Sequence, residues 1–519
     1  MKILLSILSA LLLVLSFAPF GLGWLSWFCF VPFFFIFENS SKKEVFKHGY
    51  IFGVVFFLGT IYWVVNSLYL YGEVSFILSV FLMLLLVLYL ALFFALFALG
   101  FSYTSGYKDY LRLLFLPALW VSLEFLRSII FTGFPWVLLG YSQIEYSYVI
   151  QIADIAGVWG LSFFVMTLNV VIYLNISGFI RRRKIAKKET ALTVVLIVLV
   201  LGYGIFRLSA ISQVPFASEG VSEVKSLSVA LVQGNVEQSE KWEPLKKEQA
   251  VREYRTLSLT PDKSKTRPEL IVWPETAMPF FFSYEEFLSR VVKNVAVEAE
   301  SFLLTGAPYF EFGEDGKEMN FYNSAFLIDK SGSIASRYDK VHLVPFGEYV
   351  PFRKVLFFVE KLTEGLGDFK PGPGAIPLEL EGSGGEALGV LICFEAIFPE
   401  LSARLVKNGA TMLVNITNDG WFGHTSAPFQ HLEMSRLRAV ENRVYLVRAA
   451  NTGISAIIDP LGRVQSKSDI FTDAVVRGEV NFKSDGLTVF SRFPWFMPAF
   501  CIVLSILILF VIKRRERNV

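Results

Sequence analysis

Apolar runs long enough to cross a bilayer recur eight times along this chain, and lysine and arginine collect at every second joint between them. A spanning helix needs roughly 20 mainly apolar residues, because a segment in lipid must satisfy its own backbone hydrogen bonds. The runs fall at about 3–18, 23–38, 48–68, 75–101, 110–128, 153–179, 190–209 and 491–513. Lys42, Lys43 and Lys47 follow the second run, and Lys108 and Arg112 lie between the fourth and fifth. Arg181, Arg182, Arg183, Lys184, Lys187 and Lys188 follow the sixth, and Lys513, Arg514, Arg515 and Arg517 follow the last. The joints 18–23 and 71–75 carry no basic residue. Cytoplasmic loops hold the positive excess, so the pattern predicts an even number of spans with both termini cytoplasmic. The long segment between the seventh and eighth spans then lies outside.

Composition agrees. Hydrophobic residues make up 54% of the chain, charged residues only 18%, and mean hydropathy is +0.52, which excludes an ordinary soluble globule. Its 52 Phe residues are more easily placed on lipid-facing helices than in any core. The first run follows Lys2 and has the length of a signal peptide. Its end, Ser16-Phe17-Ala18-Pro19-Phe20, lacks an A-x-A pattern and would leave proline after the cut, so retention as a span is expected. Glu124, Arg127 and Asp154 fall at apolar runs, where an ionisable group can mark an ion pathway. Glu124 and Arg127 stand three apart near the outer end of one predicted helix, which favours a self-paired or interfacial couple. Phe134-Pro135-Trp136 and Tyr141-Ser142-Gln143, in an outer joint, read as an interfacial aromatic belt.

Three parts follow: a membrane domain over 1–213, an extracytoplasmic domain over 214–487, and a last span with a basic tail over 488–519. Within the middle part, short apolar runs at 228–233, 270–273, 302–306, 324–328, 388–393, 411–416, 445–449, 455–458 and 473–480 read as strands. Stretches 283–302, 397–408 and 428–442 read as helices. Continuous hydrophobic strands alternating with helices predict an α/β layered domain whose sheet is covered by helices. No repeat, GxGxxG fingerprint or Walker motif occurs. Cys29 and Cys501 lie in apolar runs, which leaves Cys393 alone in the polar part and argues against a disulfide framework. With four His and no metal-ligand spacing, no metal or other cofactor is expected, and nothing points to nucleic acid.

Cys393 ends the buried-type run Gly389-Val390-Leu391-Ile392 and precedes Phe394-Glu395. A thiol near pH 7 is largely protonated and attacks only as thiolate, so it needs a base or a cationic neighbour. Trp273-Pro274-Glu275 ends another apolar run, and proline stops that strand, so the Glu275 carboxylate is held at a strand end. Partly desolvated, it suits the removal of a thiol proton and its return to a leaving group. Lys340, in Tyr338-Asp339-Lys340-Val341-His342, supplies positive charge for the oxyanion of a tetrahedral acyl intermediate. The Phe394 backbone N–H is a second donor in this scheme, and Glu348 and Glu395 are candidates to orient Lys340 and the thiol. Taken singly, a buried Cys is usually an inert hydrophobe, a Pro-Glu a turn and a lysine solvated surface. Together and in this order they read as a nucleophile set.

These motifs, with Pro345-Phe346-Gly347-Glu348 and Ile392-Cys393-Phe394-Glu395, resemble the Glu-Lys-Cys signatures of the nitrilase (carbon-nitrogen hydrolase) superfamily. Val232-Gln233-Gly234-Asn235 with Lys241-Trp242, Asn418-Asp419-Gly420-Trp421-Phe422-Gly423 and Phe131-Thr132-Gly133-Phe134-Pro135-Trp136 resemble its membrane branch, the apolipoprotein N-acyltransferase family, over nearly the whole chain. That resemblance implies a four-layer α-β-β-α catalytic domain in the periplasm, carried by about eight helices in the bacterial inner membrane. It implies transfer of an acyl chain from a phospholipid, through a thioester on Cys393, to the α-amino group of a diacylglyceryl-cysteine in an apolipoprotein, the last step of lipoprotein maturation. Glu275 is then the general base, Lys340 the oxyanion stabiliser, Glu348 and Glu395 supporting carboxylates, and Trp242 and Trp421 members of substrate-contacting loops; a monomer is expected. Many relatives carry Tyr directly after the nucleophile where this chain has Phe394, so only that residue's backbone is expected to serve. Pro279-Phe280-Phe281-Phe282 and Leu356-Phe357-Phe358-Val359 suit either a lipid-dipping lid or plain core packing. The competing readings are a membrane-tethered amidase, for which one span would suffice, and a lipid-binding transporter or scaffold indifferent to Cys393.

Overall fold

The computed structural model describes residues 1–519 other than 39, 71, 73, 105–106, 182–185, 213–224, 238–242, 262–266, 283, 314–318, 351–367, 383, 484–485 and 518–519. The chain divides into two compact units, one of residues 1–65, 76–214 and 493–519, the other of residues 66–75 and 215–492.

The first unit is helical. Each of the eight apolar runs is helical at least in part, and among the described residues five helices are long and apolar enough to cross a membrane: Lys42–Ile61, Phe76–Tyr103, Ile150–Ile180, Lys187–Ala210 and Phe496–Arg514. The run at 110–128 forms the helix Asp109–Arg127, whose four charges lower its hydropathy. The first two runs give short helices, because the Pro19-to-Gly23 stretch interrupts them: Lys2–Val14, a 3₁₀ turn Gly23–Trp27, and Val31–Phe37. Broken helices leave backbone groups that lipid cannot satisfy. Buried amides supply the partners instead: Asn169 accepts from the Phe30 N–H at 2.9 Å and donates to the Ser26 carbonyl at 2.7 Å. The third run also ends early, at Ile61; residues 64–70 form a separate helix whose polar Asn66 and Ser67 belong to the second unit.

Close approach of helices Lys42–Ile61 and Phe76–Tyr103 rests on small residues. A Cβ at Gly49 would lie 2.6 Å from Ala98 Cβ, and one at Gly53 would lie 2.7 Å from Ala91 Cα. Such small-xxx-small faces let backbones touch where lipid offers no hydrophobic drive. Around them the phenylalanines pack inward as well as outward. Phe30 stacks on Phe52 at 5.2 Å and meets Trp120 edge-on at 5.0 Å. The expectation of lipid-facing Phe therefore holds for only part of the set: Phe30, Phe33, Phe52 and Phe97 are fully buried, whereas Phe76, Phe179 and Phe206 are exposed.

The buried charges organise the joint between residues 128 and 153. Glu124 accepts from the Leu139 N–H at 2.6 Å and Arg127 donates to the Trp136 carbonyl at 2.9 Å. They tie down irregular backbone, which accounts for them without an ion pathway. Trp136 and Tyr141 are buried, so the belt reading fails there: the joint folds back on its own unit.

Among its described residues the second unit contains twelve strands: β1 (Ser226–Gln233), β2 (Leu270–Val272), β3 (Phe302–Phe312), β4 (Met319–Ile328), β5 (Ile334–Asp339), β6 (Leu378–Glu379), β7 (Ala387–Ile392), β8 (Met412–Thr417), β9 (Leu446–Ala450), β10 (Ala456–Ile458), β11 (Val464–Lys467) and β12 (Ala474–Asn481). They form two six-stranded sheets, ordered β12-β1-β2-β3-β4-β5 and β11-β10-β9-β8-β7-β6. Each sheet holds three parallel strands, β1-β2-β3 or β7-β8-β9, flanked by antiparallel ones. Helices Pro244–Leu259 and Glu286–Ala299 pack on the first sheet, and Pro399–Lys407 and Ala427–Asn442 on the second. The sheets face each other, giving the four-layer α-β-β-α order. The parallel strands are buried along nearly their whole length, as two-sided coverage requires.

Gly53→Leu is expected to wedge the two helices apart at a cost of about 1–3 kcal/mol, lowering the thermal midpoint in detergent. Gly202→Leu, with no atom within 4 Å of the added Cβ, should leave it unchanged.

Candidate active site

Parallel strands expose their carboxyl ends to loops free to carry chemistry, and the three predicted residues each follow such an end or its antiparallel counterpart. Glu275 comes three residues after β2, Lys340 directly after β5 and Cys393 directly after β7. Glycine permits the first placement: a Cβ at Gly306 on β3 would sit 2.6 Å from the Thr276 nitrogen and 2.8 Å from Glu275 Cα. The Glu275 turn is therefore pressed against the β3 backbone.

Lys340 Nζ lies 2.9 Å from Glu348 Oε1 and 3.5 Å from Glu275 Oε1, and its side chain is 1% exposed. Asn323, on β4, donates its amide hydrogens to both carboxylates, at 2.9 Å to Glu275 and 2.7 Å to Glu348. The Asn418 N–H donates to the other Glu275 oxygen at 3.1 Å, and the Val344 N–H to the other Glu348 oxygen at 2.8 Å. Burial works against the Lys340 charge, but Glu348 and Glu275 more than offset it and hold its pKa above that of an ordinary lysine. Burial pushes the Cys393 thiol well up, and the Glu275 charge adds to this; Lys340 and a hydrogen bond with Thr417 pull the other way. The balance favours the protonated thiol at rest.

Cys393 adopts a left-handed φ of 51° at the head of a 3₁₀ turn, Cys393–Ile397. That conformation costs a non-glycine residue energy and persists because its surroundings fix it. Glu395, fully buried, accepts from the N–H groups of Val341 (2.7 Å), His342 (3.0 Å) and Ile392 (2.8 Å), and from the Tyr338 hydroxyl at 3.1 Å to both oxygens. Burial raises its pKa to about 7, against the pull of those backbone donors and Lys340. Glu395 ties the end of β5 to the end of β7, and so fixes Lys340 relative to Cys393. His431, on the helix Ala427–Asn442, meets the Cys393 carbonyl at 3.1 Å. Asp419 and Arg448, joined at 2.6 Å, stand against its other ring nitrogen.

The structure brings together Glu275, Lys340, Cys393, Glu348, Glu395 and Phe394. Trp421 is half-buried on the loop that carries Asn418, and its carbonyl accepts from Ser67 Oγ at 2.9 Å. Trp242 and the 356–359 loop lie outside the described residues. Phe280 and Phe282 are buried in the core under the first sheet, which decides for packing in that loop; Phe281 stacks edge-on against Phe310 at 4.9 Å. Sequence reasoning missed Asn323, Tyr338 and the Asp419–His431–Arg448 group. Their signals were polar residues within or beside apolar strands: Asn323 precedes the predicted strand 324–328, and Arg448 interrupts the run 445–449.

Residues 9–171 match the family model for the apolipoprotein N-acyltransferase N-terminal domain, and residues 228–486 match that for carbon-nitrogen hydrolase. A protein of Geobacter metallireducens named apolipoprotein N-acyltransferase is 41% identical over 493 residues, covering 94% of this chain and 91% of its own. One of that name from Agrobacterium fabrum is 32% identical over 516 residues, covering 95% and 92%. Among solved structures, a carbon-nitrogen hydrolase from Helicobacter pylori G27 aligns over 50% of this chain and 90% of its own, with 19% identity and a TM-score of 0.39.

Burial alone would raise the Asp419 carboxyl; Arg448 and then His431 hold it down to about 2. A depressed carboxylate contributes stability above its unfolded pKa of about 3.9 and loses that contribution as pH falls towards 2. Asp419→Asn is expected to be less stable by about 3–5 kcal/mol at pH 7, with a gap that narrows below pH ~4, read from unfolding midpoints across pH.

Proposed function

The chain belongs to the apolipoprotein N-acyltransferase family, and from that premise we propose that it moves a fatty acyl chain from a membrane phospholipid to the α-amino group of S-diacylglyceryl-cysteine in an apolipoprotein. The observation that supports this most is the buried ammonium of Lys340, clasped by Glu275 and Glu348 and acting on the Cys393 thiol, in a chain that also carries several helices long and apolar enough to cross a membrane.

The reaction runs in two halves. Glu275 takes the Cys393 proton, which moves one negative charge from carboxylate to sulfur without changing the net charge of the cluster. The thiolate attacks the phospholipid ester carbonyl, and the developing oxyanion is met by Lys340 Nζ and the Phe394 N–H. Collapse breaks the C–O bond, and Glu275 returns its proton to the departing lysophospholipid alkoxide. The neutral α-amine of the second substrate then attacks the thioester; Glu275 accepts the amine proton and passes it to the leaving Cys393 sulfur. Cysteine suits this sequence because amines attack thioesters readily and water attacks them slowly. Glu348 and Asn323 hold Lys340 and Glu275 in place through both halves, and Glu395 acts on the turn rather than on substrate. Trp242 and Trp421 belong to the loops that contact substrate.

Both substrates are lipids of one leaflet, so we place residues 214–487 on the periplasmic side of the bacterial inner membrane, between a membrane domain at 1–213 and a last span at 488–519, with both termini cytoplasmic. The alternation of basic joints supports that orientation. One chain supplies the whole cluster, which fits action as a monomer. An amidase needs no such membrane domain.

Full-length protein in phosphatidylethanolamine vesicles should convert a diacylglyceryl-cysteine peptide to its N-acyl form, with one lysophospholipid per turnover and parallel lines in double-reciprocal plots. Cys393→Ala and Glu275→Gln should each lose at least ~10³-fold in turnover. Removing the Glu275 charge should also move the pH midpoint of Cys393 alkylation downward, since that charge holds the thiol up. Ammonia release from simple amides, with the peptide left unmodified, would return the amidase to first place.

A further inference from the structure

The mechanism asks the Phe394 N–H to point at the oxyanion, and the question is what fixes that direction. In a planar trans peptide the carbonyl and the following N–H point to opposite sides of the chain. Whatever holds the Cys393 carbonyl therefore aims the Phe394 N–H. The group that holds it is His431, whose Nε2 lies 3.1 Å from the Cys393 oxygen. Carbonyl oxygen only accepts, so Nε2 carries the hydrogen.

The rest of the ring is locked. His431 Nδ1 lies 3.0 Å from Asp419 Oδ1 and 3.0 Å from Arg448 Nη2. With Nδ1 protonated the ring donates to Asp419, and with Nδ1 bare it accepts from Arg448. Nε2 keeps its hydrogen in both cases, so the bond to Cys393 does not depend on the charge of the ring. Arg448 is itself pinned by Asp419 at 2.6 Å, by the Ile454 carbonyl at 3.2 Å and by Asn415. Asp419 needs glycine opposite: a Cβ at Gly453 would stand 2.2 Å from its Oδ2. His431 and Arg448 are fully buried, and Asp419 is 1% exposed. On the other side of the nucleophile, Glu395 holds the Ile392 N–H at 2.8 Å. The strained φ of 51° at Cys393 is thus clamped from both sides.

We propose that His431, braced by Asp419 and Arg448, is a positioning residue that orients the Cys393–Phe394 peptide so that the Phe394 N–H completes the oxyanion site. The inference rests on Cys393 being the acylated nucleophile. It separates His431 from residues that merely stabilise the fold, because two reactions of the same thiol need different things. Acylation by an ester builds an oxyanion. Alkylation by iodoacetamide is a direct displacement at carbon and builds none.

The test compares these two rates in full-length protein in phosphatidylethanolamine vesicles. In His431→Leu, acyl-enzyme formation should fall about 100-fold, the loss typical of one oxyanion donor, while alkylation of Cys393 stays within about two-fold. His431→Gln, whose amide N–H reaches the carbonyl, should recover acylation at least ten-fold over His431→Asn, which is too short. That pair decides the matter if His431→Leu fails to accumulate. Equal acylation in the Gln and Asn variants, or acylation and alkylation falling together, would overturn the proposal. Absence of acyl-enzyme in the unaltered protein would instead overturn the nucleophile assignment beneath it.

Discussion

Lys340 is almost sealed from solvent, with its ammonium 2.9 Å from Glu348 and 3.5 Å from Glu275. A charge buried alone costs several kcal/mol, so a fold that hides an ammonium must deliver carboxylates to it with further hydrogen bonds on every lone pair. Much of the second unit is arranged to do so. β4 brings Asn323 to bridge the two carboxylates, the loop after β8 brings the Asn418 N–H to Glu275, and the 341–348 turn folds back so that Glu348 accepts from its own Val344 N–H. Glu395 then ties the strand that carries Lys340 to the strand that carries Cys393. The placement of carboxylate, cation and thiol is one electrostatic problem, solved across two sheets.

The same logic explains what the sequence made legible. Buried parallel strands are continuous apolar runs, so β1, β2, β7, β8 and β9 stand out, and each chemistry-bearing residue of the Glu-Lys-Cys set follows directly on an end of a run or a short motif. Strands with a wet face do not: β5 reads Ile-Ala-Ser-Arg-Tyr-Asp, β11 reads Val-Gln-Ser-Lys, and the charged helix Pro244–Leu259 shows no clear apolar stripe. Asn323 and the Asp419–His431–Arg448 group were illegible for a different reason. Their importance comes from partners distant in sequence, and a polar residue beside an apolar run gives no sign of whom it meets.

In the membrane unit the runs announced helices but not their breaks. The hydropathy of residues 3–38 suggests two full spans, while proline and glycine at 19–23 give short helices whose loose backbone is met by Asn169, at Phe30 and Ser26, and by Gln143, at the Gly23 carbonyl. The joint between residues 128 and 153 likewise carries aromatics that composition places at an interface, yet Glu124 and Arg127 hold its backbone and Trp136 is buried. Charge within an apolar helix here serves backbone satisfaction, and Gly49 and Gly53 serve close packing.

Whether Cys393 carries the acyl chain between two lipid substrates is read directly from the intact mass of the purified protein after incubation with phospholipid, beside Cys393→Ala. A long-chain acyl increment is expected on the unaltered protein alone, removed by hydroxylamine and by a diacylglyceryl-cysteine peptide. An increment that persists in Cys393→Ala, or no increment while the peptide stays unmodified, would contradict it.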